Sequence, residues 1–364
     1  MQAIKLVAID ATTATEEARR QLEICNACRY CESYCSVFPA LHRQRAFADG
    51  DIAQLANLCH NCRGCHYACQ YTAPHAFNVN IPAALARVRQ QVWQQHAVPG
   101  WLAGTFHRNG VAIAVMVMAA FALLLWMIQS PASTANAGFY SLISHNALVA
   151  LFVPTFIAPL VAAYLSVRRY WQSIGGQRIS LAQIRGAMGS VATMKNLAAG
   201  HGDGCNFEDE DRFSHARRRY HQATMYGFLL CFAATSVATL MHYLFDLSAP
   251  YALFSLPKLL GLSGGVLLCI GTLGLGYLKT QADPELGDRS VWRGEMGFIL
   301  LLFAVSSTGL ALYAGSESPW LPELLALHLG TVLAFFLLLP FSKMVHGFYR
   351  LAALIRDEQV KGVR

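Results

Sequence analysis

The sequence predicts a mainly α chain in two parts, a small cysteine-rich domain at the N-terminus and a six-helix transmembrane bundle after it. Three observations lead there. Only 13% of the 364 residues are charged and 55% are hydrophobic, an excess of apolar side chains that a soluble chain of this size has no core to hold. Six apolar segments of near-spanning length follow residue 109. Before them, CNACRYCESYC at 25–35 is echoed by CHNCRGCHYAC at 59–69.

Both cysteine runs read C-x2-C-x2-C-x3-C: Cys25, Cys28, Cys31, Cys35, then Cys59, Cys62, Cys65, Cys69. In this spacing three thiolates wrap a 4Fe-4S cubane from a tight loop, and the fourth leads away to ligate the neighbouring cluster. The expected assignment is therefore crossed. Cys25, Cys28, Cys31 and Cys69 hold one centre; Cys59, Cys62, Cys65 and Cys35 hold the other. Zinc also accepts four thiolates, but usually as two pairs separated by a longer knuckle, and a triple C-x2-C-x2-C run suits that poorly. Ser36 and Gln70 stand where the bacterial ferredoxin pattern has proline. The N-terminal part is thus expected to be a ferredoxin-like helical dicluster 4Fe-4S domain over 1–82. Clustered metal-ligand spacing, and the lack of a secretory signal in residues 1–24, point to a reducing cytoplasm rather than to disulfides. His60, His66 and His75 lie among the clusters and are expected to be mostly solvated.

Residues 83–109 read as a juxtamembrane connector, with a helix over 83–96 and with Trp93 and Trp101 at the membrane interface. The membrane domain covers 110–348, with spans at about 111–128, 146–167, 223–245, 259–278, 296–314 and 324–345, each close to the roughly 20 residues that cross a hydrocarbon core. Pro154, Pro159 and Pro340 are expected to kink their helices. A loop at 168–222 and a tail at 349–364 complete the chain. Twenty-seven of the 28 lysines and arginines fall in the N-terminal region, this loop, the loop at 279–293 and the tail. The positive-inside rule then puts both termini in the cytoplasm. Net charge of +7 is accounted for by topology and contact with anionic inner-membrane lipids, so no nucleic acid partner is expected.

Four histidines bracket two spans: His221 and His242 the third, His328 and His346 the sixth. At about 100° per residue a gap of 21 returns within roughly 60° and a gap of 18 returns to zero, so each pair shares a helix face. Polar groups at membrane depth need partners, and two stacked bis-histidine b-type haems would satisfy all four imidazoles. One haem on His242 and His328 is the alternative. His107 and His145 have no obvious mate and are expected at the interface. In the loop, Gly200, Gly202 and Gly204 surround His201 and Asp203, followed by Cys205, an acidic group from Glu208 to Asp211, and Arg217, Arg218 and Arg219. The arginines read as a membrane anchor, the acidic part as a docking or entrance segment, and Cys205 as no cluster ligand, since both quartets are complete.

HLGTVLAFFLLLPFSKMVHGF at 328–348 is similar to the haem-ligating helix of the nitrate reductase gamma subunit family, including H-x17-H and the PFSKxVH ending. The quartets resemble the dicluster domain of heterodisulfide reductase and anaerobic glycerol-3-phosphate dehydrogenase subunits. Almost end to end, including GHGDGCNFEDEDRFSHARRRYH at 200–221, the chain resembles the tricarballylate utilization protein B family, also called citrate utilization protein B. That resemblance implies a bacterial inner-membrane protein that reoxidises the flavin of an FAD-dependent tricarballylate dehydrogenase and passes electrons to membrane quinone. In the nitrate reductase family the histidines of the first ligand-bearing helix stand closer together than the 21 residues between His221 and His242, which leaves the outer haem the stronger expectation.

No nucleophile constellation, dinucleotide turn or paired intramembrane carboxylates point to hydrolysis, flavin binding or proton pumping. Two alternatives remain: the reverse electron flow, from quinol to a cytoplasmic acceptor, and a tricarboxylate carrier with a redox-sensing cluster domain. The second requires cationic residues at mid-depth, which the spans almost entirely lack.

Overall fold

The computed structural model describes residues 13–44, 46–129, 139–198, 202, 204–206, 212–247 and 249–362. His201, Asp203 and the acidic group at 208–211 lie outside the described residues.

The N-terminal domain is built from α1 (Ala14–Cys28), α2 (Val37–Leu41), α3 (Asp49–Leu58), α4 (Gly64–Tyr67) and α5 (Ile81–His96). Thr13 opens α1 with a capping box, its hydroxyl accepting from Glu16 N at 3.2 Å while the Glu16 carboxylate accepts from Thr13 N at 3.0 Å. Two otherwise orphaned donors are thereby satisfied. Leu22, Leu55, Leu85 and Val88 meet where α1 and α3 pack on α5. Trp93 belongs to this core. It is 4% exposed and donates its indole N–H to Asn57 Oδ1 at 2.9 Å, so the interfacial position expected for it is corrected: the apolar stripe of α5 faces α3, not lipid. Trp101 is 70% exposed.

Six helices are long and apolar enough to cross a membrane, and the chain is a multi-pass membrane protein by that measure. In order they are α6 (Gly100–Met127), α8 (His145–Ser173), α10 (Ala216–Phe245), α11 (Leu256–Gln281), α12 (Trp292–Ala314) and α13 (Leu321–Leu338), with the short α7 (Phe139–Leu142) and α9 (Leu181–Thr193) between them. The first span starts earlier than its hydropathy suggests and bends at Asn109 (φ −125°, ψ 23°). α8 runs through Pro154 and Pro159. α10 lies against α11 where Gly227 meets Gly264: a methyl group on Gly227 would stand 2.6 Å from Leu268 N. Gly110 and Gly294 allow the same close approach of α6 and α12. Small residues are the usual means of such contact in lipid, where no hydrophobic force draws helices together.

The sixth span departs most from expectation. Instead of one helix to 345, α13 stops at Leu338, a 3-10 turn covers Leu339–Phe341, Ser342 is extended, a second 3-10 turn covers Lys343–Val345, and α14 (His346–Lys361) begins. Pro340 has no N–H for the ladder and blocks the preceding helical turn. His328 and His346 therefore do not share a helix, and the shared-face argument fails for that pair. The expected tail is itself structured. Tyr349, Ala353, Leu354 and Ile355 of α14 are buried in the same core as Leu22 and Leu55, and Gln54 donates to Ala353 O at 3.3 Å. Arg43 pairs with the buried carboxylate of Asp357. The cluster domain is thus packed against the C-terminus and the end of α8.

Candidate cluster and haem centre

The cysteines lie where helices end. Cys25 and Cys28 occupy the last turn of α1 rather than a loop, and Arg29 turns the chain left-handed (φ 58°) to bring Cys31 back. The second quartet starts at the end of α3 with Cys59, passes left-handed Asn61 and Arg63 (φ 52° and 68°), and continues through Cys65 in α4 to Cys69. None of the eight is in a disulfide.

Their neighbours are crossed. Cys25 stands among Cys28, Cys31 and Cys69, and burial followed by these thiolates pushes its own thiol up to about 12; Cys31 is pushed up to about 12 by burial, Cys69 and Cys28. Cys35 is instead beside Cys62 and Cys59, and Cys65 beside Cys62, Cys35 and Cys59. Buried thiols that resist ionisation side by side are a donor set that becomes favourable only with cationic metal among them. Cys25, Cys28, Cys31, Cys65 and Cys69 line one cavity of about 260 Å³, which brings the two quartets together. Among the described residues no three Cys, His or carboxylate groups converge on a single ion position. Backbone N–H groups of Asn61 and Tyr71 point at Cys59 Sγ and Cys69 Sγ, both at 3.4 Å, contacts that tune potential in thiolate-held clusters.

Of the four span histidines, the structure joins the inner pair. His221 of α10 and His346 at the start of α14 have ring centres 5.9 Å apart with planes at 76°. A metal bonded to both imidazoles at about 2 Å would need roughly 6 Å between ring centres, so the spacing of this pair is compatible with the two holding one metal between them. His346 donates from Nδ1 to Lys343 O, which leaves Nε2 for a metal. Burial first, then the charge of Arg350, holds His346 well below its ordinary value, in the neutral form that ligates.

No ring contact joins His242 to His328 among the described residues. His242 lies 4.7 Å from His145, whose Nε2 meets Tyr243 Oη at 3.0 Å, and His328 Nδ1 meets Thr308 Oγ1 at 3.2 Å. His145 thus has a histidine mate after all. His107 is not interfacial either: it is 2% exposed, because α6 begins at Gly100 and presses it against the bare backbone of Gly294.

Three half-buried arginines hold the second quartet, two of them from the helices of the inner pair. Arg350 donates to Asn57 O at 3.1 Å and Cys59 O at 2.7 Å, Arg89 to Cys59 O at 2.9 Å, and Arg217 to Asn61 O at 2.6 Å. His346 and Arg350 are four residues apart on α14, as are Arg217 and His221 on α10, so on each helix one face carries both an imidazole and a guanidinium. Arg217 is therefore a clasp on the cysteine loop, not merely a lipid anchor. His60, expected in solvent, is half-buried close to Arg350, Arg217 and His221, with Nδ1 against Leu58 O at 2.8 Å. His66 lines the quartet cavity, and His75 is exposed, its Nδ1 accepting from Phe77 N at 3.1 Å.

The described part of the loop before α10 closes over the same place. Cys205 and Ser214 form an isolated bridge, Asn206 N donates to Cys62 O at 2.8 Å, and Cys205, fully buried, lies beside the Cys62 thiol. Gly204 (φ 108°) permits this turn, since a side chain there would meet Ser214 O at 2.3 Å.

Residues 109–362 match the family model described as Citrate utilization protein B, and residues 18–97 match the one described as Citrate utilization protein B Fer4-like domain. A curated Escherichia coli protein named Citrate utilization protein B is 41% identical over 366 aligned positions, covering 98% of this chain and 96% of that protein. No solved structure matches.

Proposed function

The chain belongs to the citrate utilization protein B family, and from that premise we propose that it is a membrane-bound electron carrier. In this reading it takes electrons from the reduced flavin of a separate FAD-dependent tricarballylate dehydrogenase and delivers them to the quinone pool of the bacterial inner membrane, with both termini in the cytoplasm. The family and its Fer4-like domain support an iron–sulfur role; the partner, the haem and the quinone are the further content of the proposal.

The observation that carries it is that Arg350 and Arg217, on the helices that bear His346 and His221, both bond the carbonyls of the Cys59–Cys62 region. Two donor sets of different chemistry, thiolates suited to iron–sulfur clusters and imidazoles suited to b-type haem, are thus linked through these arginines. Cys25, Cys28, Cys31 and Cys69 would hold one cluster, Cys59, Cys62, Cys65 and Cys35 the other, and His221 and His346 a haem; His242 and His328 would need to move to share a second. What these groups supply when bound is one-electron chemistry, which divides the two-electron output of a flavin. The protein's own part is positional. Half-buried Arg217 and Arg350 fix the cysteine loop to the histidine-bearing helices and Arg89 fixes it to α5, all through neutral carbonyls, and their positive charge favours the extra electron of a reduced centre. The packed core around Leu55, Tyr170 and Tyr349 keeps water out.

Purified protein reduced with dithionite tests this by absorption and by iron and haem counted per chain. Two cubanes imply about eight non-haem irons, with sharp b-type bands beside them. A colourless preparation that carries zinc and shows no reducible band would reject the proposal.

A further inference from the structure

A second cavity, of about 420 Å³, opens beside the cysteine loop at the edge of the membrane region, within the roughly 300–1,000 Å³ of small-molecule sites. Its walls come from Asn61 and Arg63, the chain neighbours of Cys62, from α5, and from the turn between α11 and α12. Trp93 and Trp292 supply flat aromatic surface.

The cations around it are already engaged. Arg63 Nη2 donates to Asp283 O at 3.0 Å, Arg89 to Cys59 O, Arg289 pairs with Glu285 at 3.2 Å, and Lys279 pairs with Glu295, which also holds Lys343 at 2.6 Å. An anion entering here would have to break these pairs, so the cavity suits a neutral ligand. Gln90, only 6% exposed, and Asn61 stand in its wall, and each carries a buried polar atom without a partner, Gln90 Nε2 and Asn61 Oδ1. Buried polar atoms are seldom left so. One is a donor and the other an acceptor, which is what a flat molecule carrying a carbonyl that becomes a hydroxyl would satisfy.

We propose that this cavity binds the head group of a membrane quinone, with Gln90 donating to a quinone carbonyl, Asn61 accepting from a quinol hydroxyl, and Trp93 and Trp292 flanking the ring. The assignment rests on the electron-carrier reading above. Its reaction is balanced by that reading: the partner's reduced flavin loses two electrons, the quinone gains them with two protons from water, and quinol leaves. Glu295, held between Lys279 and Lys343, borders the cavity.

The test uses the full chain in detergent and a decyl-substituted benzoquinone as probe. Binding is read from quenching of tryptophan fluorescence in the oxidised protein, and turnover from reoxidation of the dithionite-reduced protein by stopped flow. Gln90→Leu should weaken quenching roughly five- to tenfold, the worth of one hydrogen bond, with iron and haem per chain unchanged. Thr280→Trp, at an exposed position on the rim, should block both signals if Gln90→Leu misfolds. Wild type that is reoxidised and quenched, with both variants behaving as wild type, overturns the site and leaves the carrier reading intact. Wild type that is reoxidised by ferricyanide but by no quinone overturns both.

Discussion

Replacing Arg350 by methionine tests whether the C-terminal helix holds the second cysteine quartet in place. Arg350 is half-buried, and the loss of water around it draws its guanidinium down to about 9, so it is a cation kept at a cost that its contacts offset. It serves two carbonyls, Asn57 O and Cys59 O. Cys59 O keeps Arg89 at 2.9 Å in the variant. Asn57 O does not have an evident substitute, since it lies in the last turn of α3, where carbonyls lack helical N–H partners, and Asn61 N is turned to Cys59 Sγ. One orphaned carbonyl costs about 1–3 kcal/mol; loss of the half-buried cation returns part of what the lost bonds contributed, so the effect stays on that scale rather than the sum of two charge-assisted bonds. At roughly 2–4 °C per kcal/mol for a chain of this size, the thermal midpoint followed by cluster absorbance should fall by about 2–12 °C. Haem content should hold, because His346 is anchored separately through Lys343 O, and electron transfer between clusters and haem should slow. A variant with unchanged midpoint and unchanged transfer would refute the idea that Arg350 couples the two centres.

Ala substitution of His221 and of His346 should each remove the same haem, seen as equal loss of one set of b-type bands, while His328→Ala leaves that set in place; loss only with His328 would move the ligands to the outer side. Gly227→Leu should lower the yield of folded protein and cost about 1–3 kcal/mol by overpacking, because its Cβ would stand 2.6 Å from Leu268 N and 2.8 Å from Gly264 O; normal thermal stability in detergent would show that α10 and α11 do not pack this closely. Asp357→Asn should free α14 to proteolysis, at the lower end of the roughly 3–5 kcal/mol for breaking a buried pair, since Arg43 is left 14% exposed and Lys361, also paired with Asp357, reaches water. Unchanged cleavage kinetics would mean that the apolar face of α14 docks it without that pair.

What the sequence made legible is what local rules govern. Hydropathy over some twenty residues and the C-x2-C-x2-C-x3-C spacing depend on neighbours along the chain, and the helical architecture and crossed grouping of Cys35 and Cys69 follow from them. Legibility fails where distant segments meet. Arg217 and Arg350 read as charges near a membrane, although four-residue spacing from His221 and His346 is a signal that could have flagged both. Trp93 carries the same amphipathic pattern whether its partner is lipid or α3. Pro340 was visible as a breaker, yet how far the chain would turn after it depends on α14 finding the cluster domain, a contact across 299 positions for Gln54 and Ala353. The outer histidine pair, favoured from the spacing in the resembled family, is not brought together in the structure, whereas His221 and His346 are, because the chain after Pro340 turns α14 onto the cluster domain.

The most direct test is rapid mixing of purified, oxidised protein with photochemically reduced flavin, following cluster bleaching and the b-type band in the same trace. The account predicts that the clusters bleach first and the haem band rises at the rate at which they recover. Clusters that reduce fully while the haem stays oxidised, or haem that reduces at the same rate when Cys62→Ser has removed the second cluster, would contradict it.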